Sequence, residues 1–185
     1  MTFGPAYYAA GFDASVYGKS NETDYLHTIT KAFLDGRKLI DSAKGKKLTD
    51  AQRASLKRHA ATISSNWQKV LAEATYKYAG SVYKDMVKLK TIMDANGDTS
   101  KQLKKYIKHW GELKGFAMSF QFNPYSPMYG TADGENTTHF ENFHTKVGTA
   151  PVLSTDTAEN IAAYKTALEE ARTLLQTAYG FDADN

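Results

Sequence analysis

A single apolar stripe constrains the fold of this chain more than any other feature. Apolar and small side chains recur at intervals of three or four residues through the middle of the sequence: Leu56, Ala60, Ile63, Trp67, Val70, Ala74, Tyr78, Val82, Met86, Leu89 and Met93. Side chains at this spacing share one face of an α-helix. Thr49 and Gln52 have the spacing of a capping box, and Asn96-Gly97 is typical of a helix end. The stripe therefore predicts one helix of about 45 residues.

The same spacing predicts three further main helices and one short one. The main helices run from about Glu22 to Asp41, from Thr99 to Phe120 and from Asp156 to Tyr179, and the short one runs from Thr138 to Lys146. No segment alternates with period two for long enough to predict a strand. We therefore predict an all-α fold: a helical bundle of four main helices, one of them very long, with short extra helices in the loops.

Two details of these helices are specific enough to be checked. The first helix is expected to turn one stripe toward the core, made of Leu26, Ile29, Phe33, Gly36 and Ile40. The last helix is expected to begin at a cap formed by Asp156 with Glu159, and to end at Gly180.

The residues before the first helix have a different character. Residues 1–20 are rich in glycine and tyrosine and lack helical periodicity, which predicts an irregular N-terminal arm ahead of a single helical-bundle domain at residues 21–185. An arm with so many aromatic side chains is expected to pack against something. Its candidate partner-binding residues are Phe3, Tyr7, Tyr8, Phe12 and Tyr17.

Composition excludes several classes of function. The 185 residues contain no cysteine, which removes disulfides, thiolate metal sites and cysteine nucleophiles. No phosphate-binding glycine loop, G-x-S-x-G elbow or H-E-x-x-H motif is present, and no apolar run approaches the length of a membrane span. We predict that the chain is not an enzyme and has no transmembrane segment.

The charge is divided unevenly along the sequence. Residues 131–185 carry three basic and nine acidic side chains, a net charge of −6; the whole chain carries +3, which leaves +9 on residues 1–130. A basic surface can meet nucleic acid, anionic lipid or an acidic partner, or the two halves can complement each other within one bundle. No arginine or aromatic cluster of a nucleic-acid module accompanies the lysines, so no nucleic-acid partner is predicted.

Two histidine–glutamate pairs are the candidate metal site. His109 and Glu112, and Glu141 and His144, are each three residues apart, so both members of a pair lie on one side of a helix. Bundle proteins use such pairs to hold iron or manganese. The alternatives are histidines hydrogen-bonded at the edge of the core, or a polar small-molecule pocket.

An aromatic cluster follows the third helix. Its members are Phe116, Phe120, Phe122, Tyr125, Met128 and Tyr129. They could form a stacking surface for a sugar or another planar ligand, or a loop packed over the end of the bundle.

The sequence resembles a known bacterial family at several collinear motifs. These motifs are Lys108–Ala117 and Gln121–Pro127 in the middle, Phe3–Tyr8 before them, and Phe143–Leu153 and Ala171–Ala183 after them. The family is the one known as domain of unknown function 4856, found in exported proteins and lipoproteins. Its members are about twice as long, so the chain resembles their C-terminal half.

The resemblance implies a location and a possible ligand, but no reaction. It implies a periplasmic, cell-surface or extracellular protein, related in organisation to imelysin-like helical proteins that are associated with iron and marked by a G-x-H-x-x-E motif. His109 and Glu112 match the last part of that motif, while Ile107 stands at its glycine. We therefore expect a non-enzymatic binding or assembly module that docks on a partner chain or self-associates. The alternative is an imelysin-like metal- or haem-associated protein, with iron, copper or another divalent metal.

Overall fold

The computed structural model describes residue 8 and residues 25–131, 136–153 and 156–180, and it confirms the all-α fold. Within those ranges the only β-type pairing is an isolated bridge between Thr131 and Thr138. The α-helices of these ranges are α1 (Tyr25–Ser42), α2 (Asp50–Asp94), α3 (Ser100–Ser119), α4 (His139–Val147) and α5 (Ala158–Tyr179). Two single-turn 3₁₀ helices, Phe120–Phe122 and Pro127–Tyr129, lie between α3 and α4. None of the described helices is both long enough and apolar enough to span a bilayer.

The chain divides into two compact units, which are described separately. The first comprises Met1–Val70 with Asp184–Asn185, and the second comprises Leu71–Ala183. The first unit contains α1 and the beginning of α2, whereas the second contains the rest of α2 and all later helices.

The very long helix is confirmed, and the predicted signals set both of its ends. Thr49 accepts a hydrogen bond from the Gln52 backbone N–H, while the Gln52 side chain accepts one from the Thr49 backbone N–H. At the other end Asn96 adopts a left-handed φ of 51°, and the Gly97 N–H reaches back to the Ile92 carbonyl at 2.8 Å. This is a Schellman ending, and it satisfies carbonyls that the helix would otherwise leave without partners.

In the first unit, α1 buries Ile29 and Gly36 of the predicted stripe, but the buried face is rotated away from the rest of it. The buried side chains are Tyr25, Ile29, Ala32 and Gly36. Phe33 and Ile40 were predicted to be in the core, and this is wrong: they are 56% and 54% exposed. The reason is the small side chains at 32 and 36, which let α2 come close. A Cβ added to Gly36 would lie 3.6 Å from a Leu56 methyl carbon.

In the second unit, a core forms where α2, α3, α4 and α5 meet. Its fully buried side chains include Tyr106, Leu113, Phe143, Leu168 and Leu175. Tyr106 also donates a hydrogen bond of 2.7 Å from its hydroxyl to the Val152 carbonyl, so its polar tip is satisfied inside the core.

The ends of the last two helices were predicted in part. Gly148 and Gly180 follow α4 and α5 with φ of 79° and 63°, the left-handed region that favours glycine. The cap predicted at Asp156 is wrong, because Thr157 accepts the capping hydrogen bond from the Asn160 N–H. Asp156 instead accepts a 2.7 Å bond from the Leu153 N–H and closes the loop that precedes the helix.

Candidate functional site

A buried carboxylate, Asp85 of α2, holds the most polar cluster of the second unit. Its side chain is 4% exposed. It accepts hydrogen bonds from the Gln102 amide at 2.9 Å and from His109 Nδ1 at 2.5 Å, and Lys105 Nζ lies 3.2 Å away. All three donors belong to α3, so this one carboxylate fastens α2 to α3. A buried charge is tolerated only with such partners.

The hydrogen bond to Asp85 sets the orientation of the His109 ring. A carboxylate only accepts hydrogen bonds, so the ring carries a proton on Nδ1, and Nε2 is the ring nitrogen that Asp85 does not engage. The ring is 18% exposed, lies 5.8 Å from the Tyr78 ring, and makes no hydrogen bond through Nε2 to a described residue. Carboxylate-oriented imidazoles of this kind can accept a proton or ligate a metal.

Glu112, the predicted partner of His109, interacts elsewhere. One oxygen, Oε1, lies 3.6 Å from Lys108 Nζ, one turn earlier on α3. The other oxygen, Oε2, is buried and has no hydrogen-bonding partner among the described residues. The structure therefore gives His109 and Glu112 separate partners.

Glu141, of the second predicted pair, caps α4. Its carboxylate accepts 2.8 Å hydrogen bonds from the backbone N–H and the hydroxyl of Thr138, while the Thr138 hydroxyl accepts from the Glu141 N–H. The bond from the Thr138 backbone N–H, followed by that from its hydroxyl, lowers the pKa of Glu141 below its usual value. A carboxylate engaged in this way at a helix start acts as a structural group.

His144, the other half of that pair, lies against Lys114 of α3. Lys114 Nζ is 3.1 Å from His144 Nδ1 and 2.8 Å from the Gly148 carbonyl oxygen. An ammonium group only donates, so Nδ1 is the acceptor and the imidazole is neutral. The Phe140 ring covers it, with centroids 4.4 Å apart.

The four predicted metal ligands thus occupy separate places in the second unit. Among the described residues no group of three or more His, Asp or Glu side chains could hold a metal ion. The residues present do not fit a multi-ligand centre of the iron or manganese type, which needs four or more converging protein ligands.

The contact between Lys114 and His144 makes stability depend on pH. Burial, and then the Lys114 charge, lower the pKa of His144 below its usual 6.5, partly offset by the Ala117 carbonyl; burial also lowers the pKa of Lys114. Below pH 6.5 the unfolded chain therefore takes up the His144 proton more readily than the folded protein does. The contribution of His144 to stability is complete above pH 6.5 and is lost as the pH falls toward the folded-state pKa.

We therefore expect the free energy of unfolding to fall between about pH 7.5 and pH 5.5, and to fall less steeply in His144→Gln. Urea denaturation of both proteins at several pH values measures the two slopes. Equal slopes in the wild type and the variant would show that His144 titrates alike in both states.

The aromatic cluster after α3 divides into a buried and an exposed part. Phe120 and Met128 are fully buried, and Phe116 stacks on Tyr78 with ring centroids 5.5 Å apart. In contrast, Phe122 is 80% and Tyr125 is 89% exposed. Packing in the core thus explains three of the six side chains of the cluster, and the other three are exposed.

The exposed aromatic residues lie on the hydrogen-bonded segment that follows α3, residues 120–129, which we name the aromatic loop. The buried Ser126 hydroxyl lies 3.1 Å from the Tyr179 hydroxyl of α5 and accepts from the Met128 N–H. The Asn123 side chain accepts a 3.0 Å bond from the Tyr125 N–H, and Tyr129 donates to the Gln121 carbonyl. The whole stretch 115–131 contains no charged side chain.

Of the candidate partner-binding residues of the arm, Phe3, Tyr7, Phe12 and Tyr17 lie outside the described residues. Tyr8 is described, and it is helical and partly buried. The predicted contact of the arm with a partner stays a prediction.

Asp85, the centre of this polar cluster, is the residue that sequence analysis missed. A signal was present, because Asp85 lies three residues after Val82 and four before Leu89, on the apolar stripe itself. A carboxylate at such a position must find partners on a neighbouring helix. Spacing along one helix could not reveal His109, because it lies 24 residues away on the next helix.

No protein-family model, curated protein or solved structure matches this chain.

Proposed function

We propose that this chain is a non-enzymatic binding and assembly module of the bacterial cell envelope, related to the domain of unknown function 4856 family, that docks on a partner protein or on a second copy of itself. The observation that carries the proposal is the aromatic loop. Two large aromatic side chains, Phe122 and Tyr125, are exposed to solvent on a loop whose backbone and anchoring side chains are hydrogen-bonded.

Composition and exposure at this loop favour a protein-binding surface. Interface centres are enriched in aromatic residues and methionine and depleted of charge. Met118 and Tyr129, 41% and 42% exposed, add partly exposed apolar side chains just before and at the end of the same segment. Exposed apolar side chains that lie together on a fixed loop are typical of contact sites, whereas single ones are ordinary.

The fastening of the loop matters for affinity. A loop ordered before binding loses little conformational entropy when a partner docks. The buried Phe120 comes before Phe122 and the buried Ser126 comes directly after Tyr125, so the segment that carries the contact residues is anchored at both ends. Aromatic side chains in such positions often cost about 2 kcal/mol or more of binding free energy when truncated.

Site-directed photo-crosslinking in envelope preparations of cells that express the full chain tests the proposal. A photoreactive phenylalanine at position 122 is expected to give a discrete adduct, either a covalent dimer or a complex with one protein. The same residue at Thr166, exposed on α5, is the matched control and is expected to give none. Tyr125→Ser in the position-122 variant should reduce the adduct at least about tenfold.

Light scattering on the purified chain distinguishes the two kinds of partner. An oligomer that becomes monomeric in Phe122→Ser/Tyr125→Ser identifies self-association, and a monomer together with a heterologous adduct identifies a partner protein. A monomer with no adduct at position 122, or with equal adducts at 122 and 166, would contradict the proposal.

The alternative function, an imelysin-like metal- or haem-associated envelope protein, is favoured by one observation. His109 has its Nδ1 hydrogen-bonded to a buried carboxylate and makes no hydrogen bond through Nε2 to a described residue, and the same carboxylate–histidine pairing is found at many metal-bound histidines. Elemental analysis and haem titration of protein purified without chelators, compared with His109→Ala, test this function. Stoichiometric metal or haem that is lost in the variant would support it, and an absence of both from the wild type would reject it.

A further inference from the structure

We propose that the second unit carries a separate docking surface for an anionic phospholipid bilayer, formed by exposed lysines of α2 and α3. This surface, which we name the lysine face, consists of Lys84, Lys88, Lys101, Lys104, Lys105 and Lys108. It does not depend on the aromatic loop or on the function proposed for it.

The fold brings these lysines together from two helices. The short connection after Asp94 makes α2 and α3 neighbours, and Asp85 contacts both Gln102 and Lys105 of α3. Lys84 and Lys88 lie one residue before and three residues after Asp85, so they flank this crossing point. On α3 the lysines at 101, 104, 105 and 108 follow the spacing of a single helix face.

The acidic groups of the α2–α3 connection do not neutralise the lysine face. Asp85 is buried beneath it, and Asp94 is paired with Lys90 at 2.8 Å. Hydrogen bonding from the Ser100 side chain, and then the 2.9 Å bond from the Ser100 N–H, lowers the pKa of Asp98 and engages this carboxylate with the start of α3.

The lysines themselves are largely free. Lys84, Lys88, Lys101 and Lys104 form no ion pair with a described residue. Lys105 touches the outer side of Asp85, and Lys108 is 3.6 Å from Glu112; both remain more than half exposed. Like charges on one face repel one another. An anionic surface relieves this repulsion, so the free energy falls when such a surface covers them.

The side chains around the lysines favour lipid over nucleic acid. Ile107 is 46% exposed on α3, next to Lys108, and Val87 is 40% exposed on α2, next to Lys88. Lysines with apolar side chains at their edge suit the interface between headgroups and acyl chains. The lysine face has no arginine, which binds phosphate through two hydrogen bonds, and no exposed aromatic side chain, which stacks on bases.

The expected binding is electrostatic and additive. Each lysine near an anionic bilayer raises the partition coefficient about fivefold, and the attraction decays over about 10 Å at 0.1 M salt. Lys101→Glu/Lys104→Glu removes two such charges and adds two repelling ones. We therefore expect the partition coefficient to fall at least about 25-fold.

Co-sedimentation of the full chain with vesicles is the test. Vesicles of phosphatidylcholine with phosphatidylglycerol are expected to bind the wild-type chain, and vesicles of phosphatidylcholine alone are not. The matched control is Lys46→Glu/Lys47→Glu, which makes the same change of net charge at two exposed lysines of the first unit. Circular dichroism confirms that both variants keep their helices.

The proposal is supported if Lys101→Glu/Lys104→Glu loses binding while Lys46→Glu/Lys47→Glu keeps most of it. It is overturned if anionic vesicles do not bind the wild type, or if both variants lose binding equally, which would indicate a general effect of net charge. It is also overturned if a duplex oligonucleotide binds the lysine face more tightly than vesicles at the same phosphate concentration.

Discussion

The Asp85→Ala variant is expected to unfold with a free energy about 3 kcal/mol lower than the wild type. The substitution removes the side-chain acceptor that Gln102 and His109 share, and it leaves the buried amide of Gln102 with only its longer, 3.3 Å bond to the backbone carbonyl of residue 85. Lys105 and His109 are partly exposed and can turn to water, which limits the loss. Urea denaturation followed by circular dichroism measures the change.

Asp94→Ala is the matched control for Asp85→Ala. It removes an aspartate from the same helix, but its pair with Lys90 is exposed, with side chains 63% and 53% accessible. Exposed pairs contribute about 0 to 1 kcal/mol. If the two variants are destabilised by the same amount, Asp85 does not fasten α2 to α3.

The Phe143→Ala variant is expected to lose about 4 kcal/mol of stability, the largest effect we predict for a single side chain. Phe143 is fully buried and is one of the two buried side chains of α4, the other being Val147. A helix of nine residues is not stable alone and depends on packing. Calorimetry measures the loss, and hydrogen exchange is expected to show α4 losing protection first.

Phe122→Ala provides the comparison, because it removes the same atoms from a side chain that is 80% exposed. Its effect on stability is expected to stay within about 0.5 kcal/mol. A large destabilisation by Phe122→Ala would mean that this side chain is packed, and it would weaken the case for the aromatic loop as a docking surface.

The features that the sequence predicted well are those with local causes. The capping box of Thr49 and Gln52 and the left-handed turn at Asn96 each depend on residues a few positions apart, so reading the chain in order was enough to find them. Glu141 was paired by its spacing with His144, whereas its carboxylate binds Thr138, three residues away in the other direction. Spacing along one helix does not tell which of two nearby residues a side chain binds.

The features that the sequence did not predict depend on which helix faces which. Phe33 and Ile40 share a regular apolar stripe with the buried Ile29 and Gly36, and the sequence does not show that Tyr25 and Ala32 are buried in their place. Asp85 and His109 are 24 residues apart on different helices. Periodicity gives the face of a helix, but it does not tell which residue of the next helix lies opposite.

Helix α3 carries the lysine face in its first half and leads into the aromatic loop at its end. From Lys104 to Phe120 it advances 16 residues, which at 1.5 Å each is about 24 Å. The two proposed surfaces are therefore separate sites on one helix. The number of helical turns in α3 sets the distance between them.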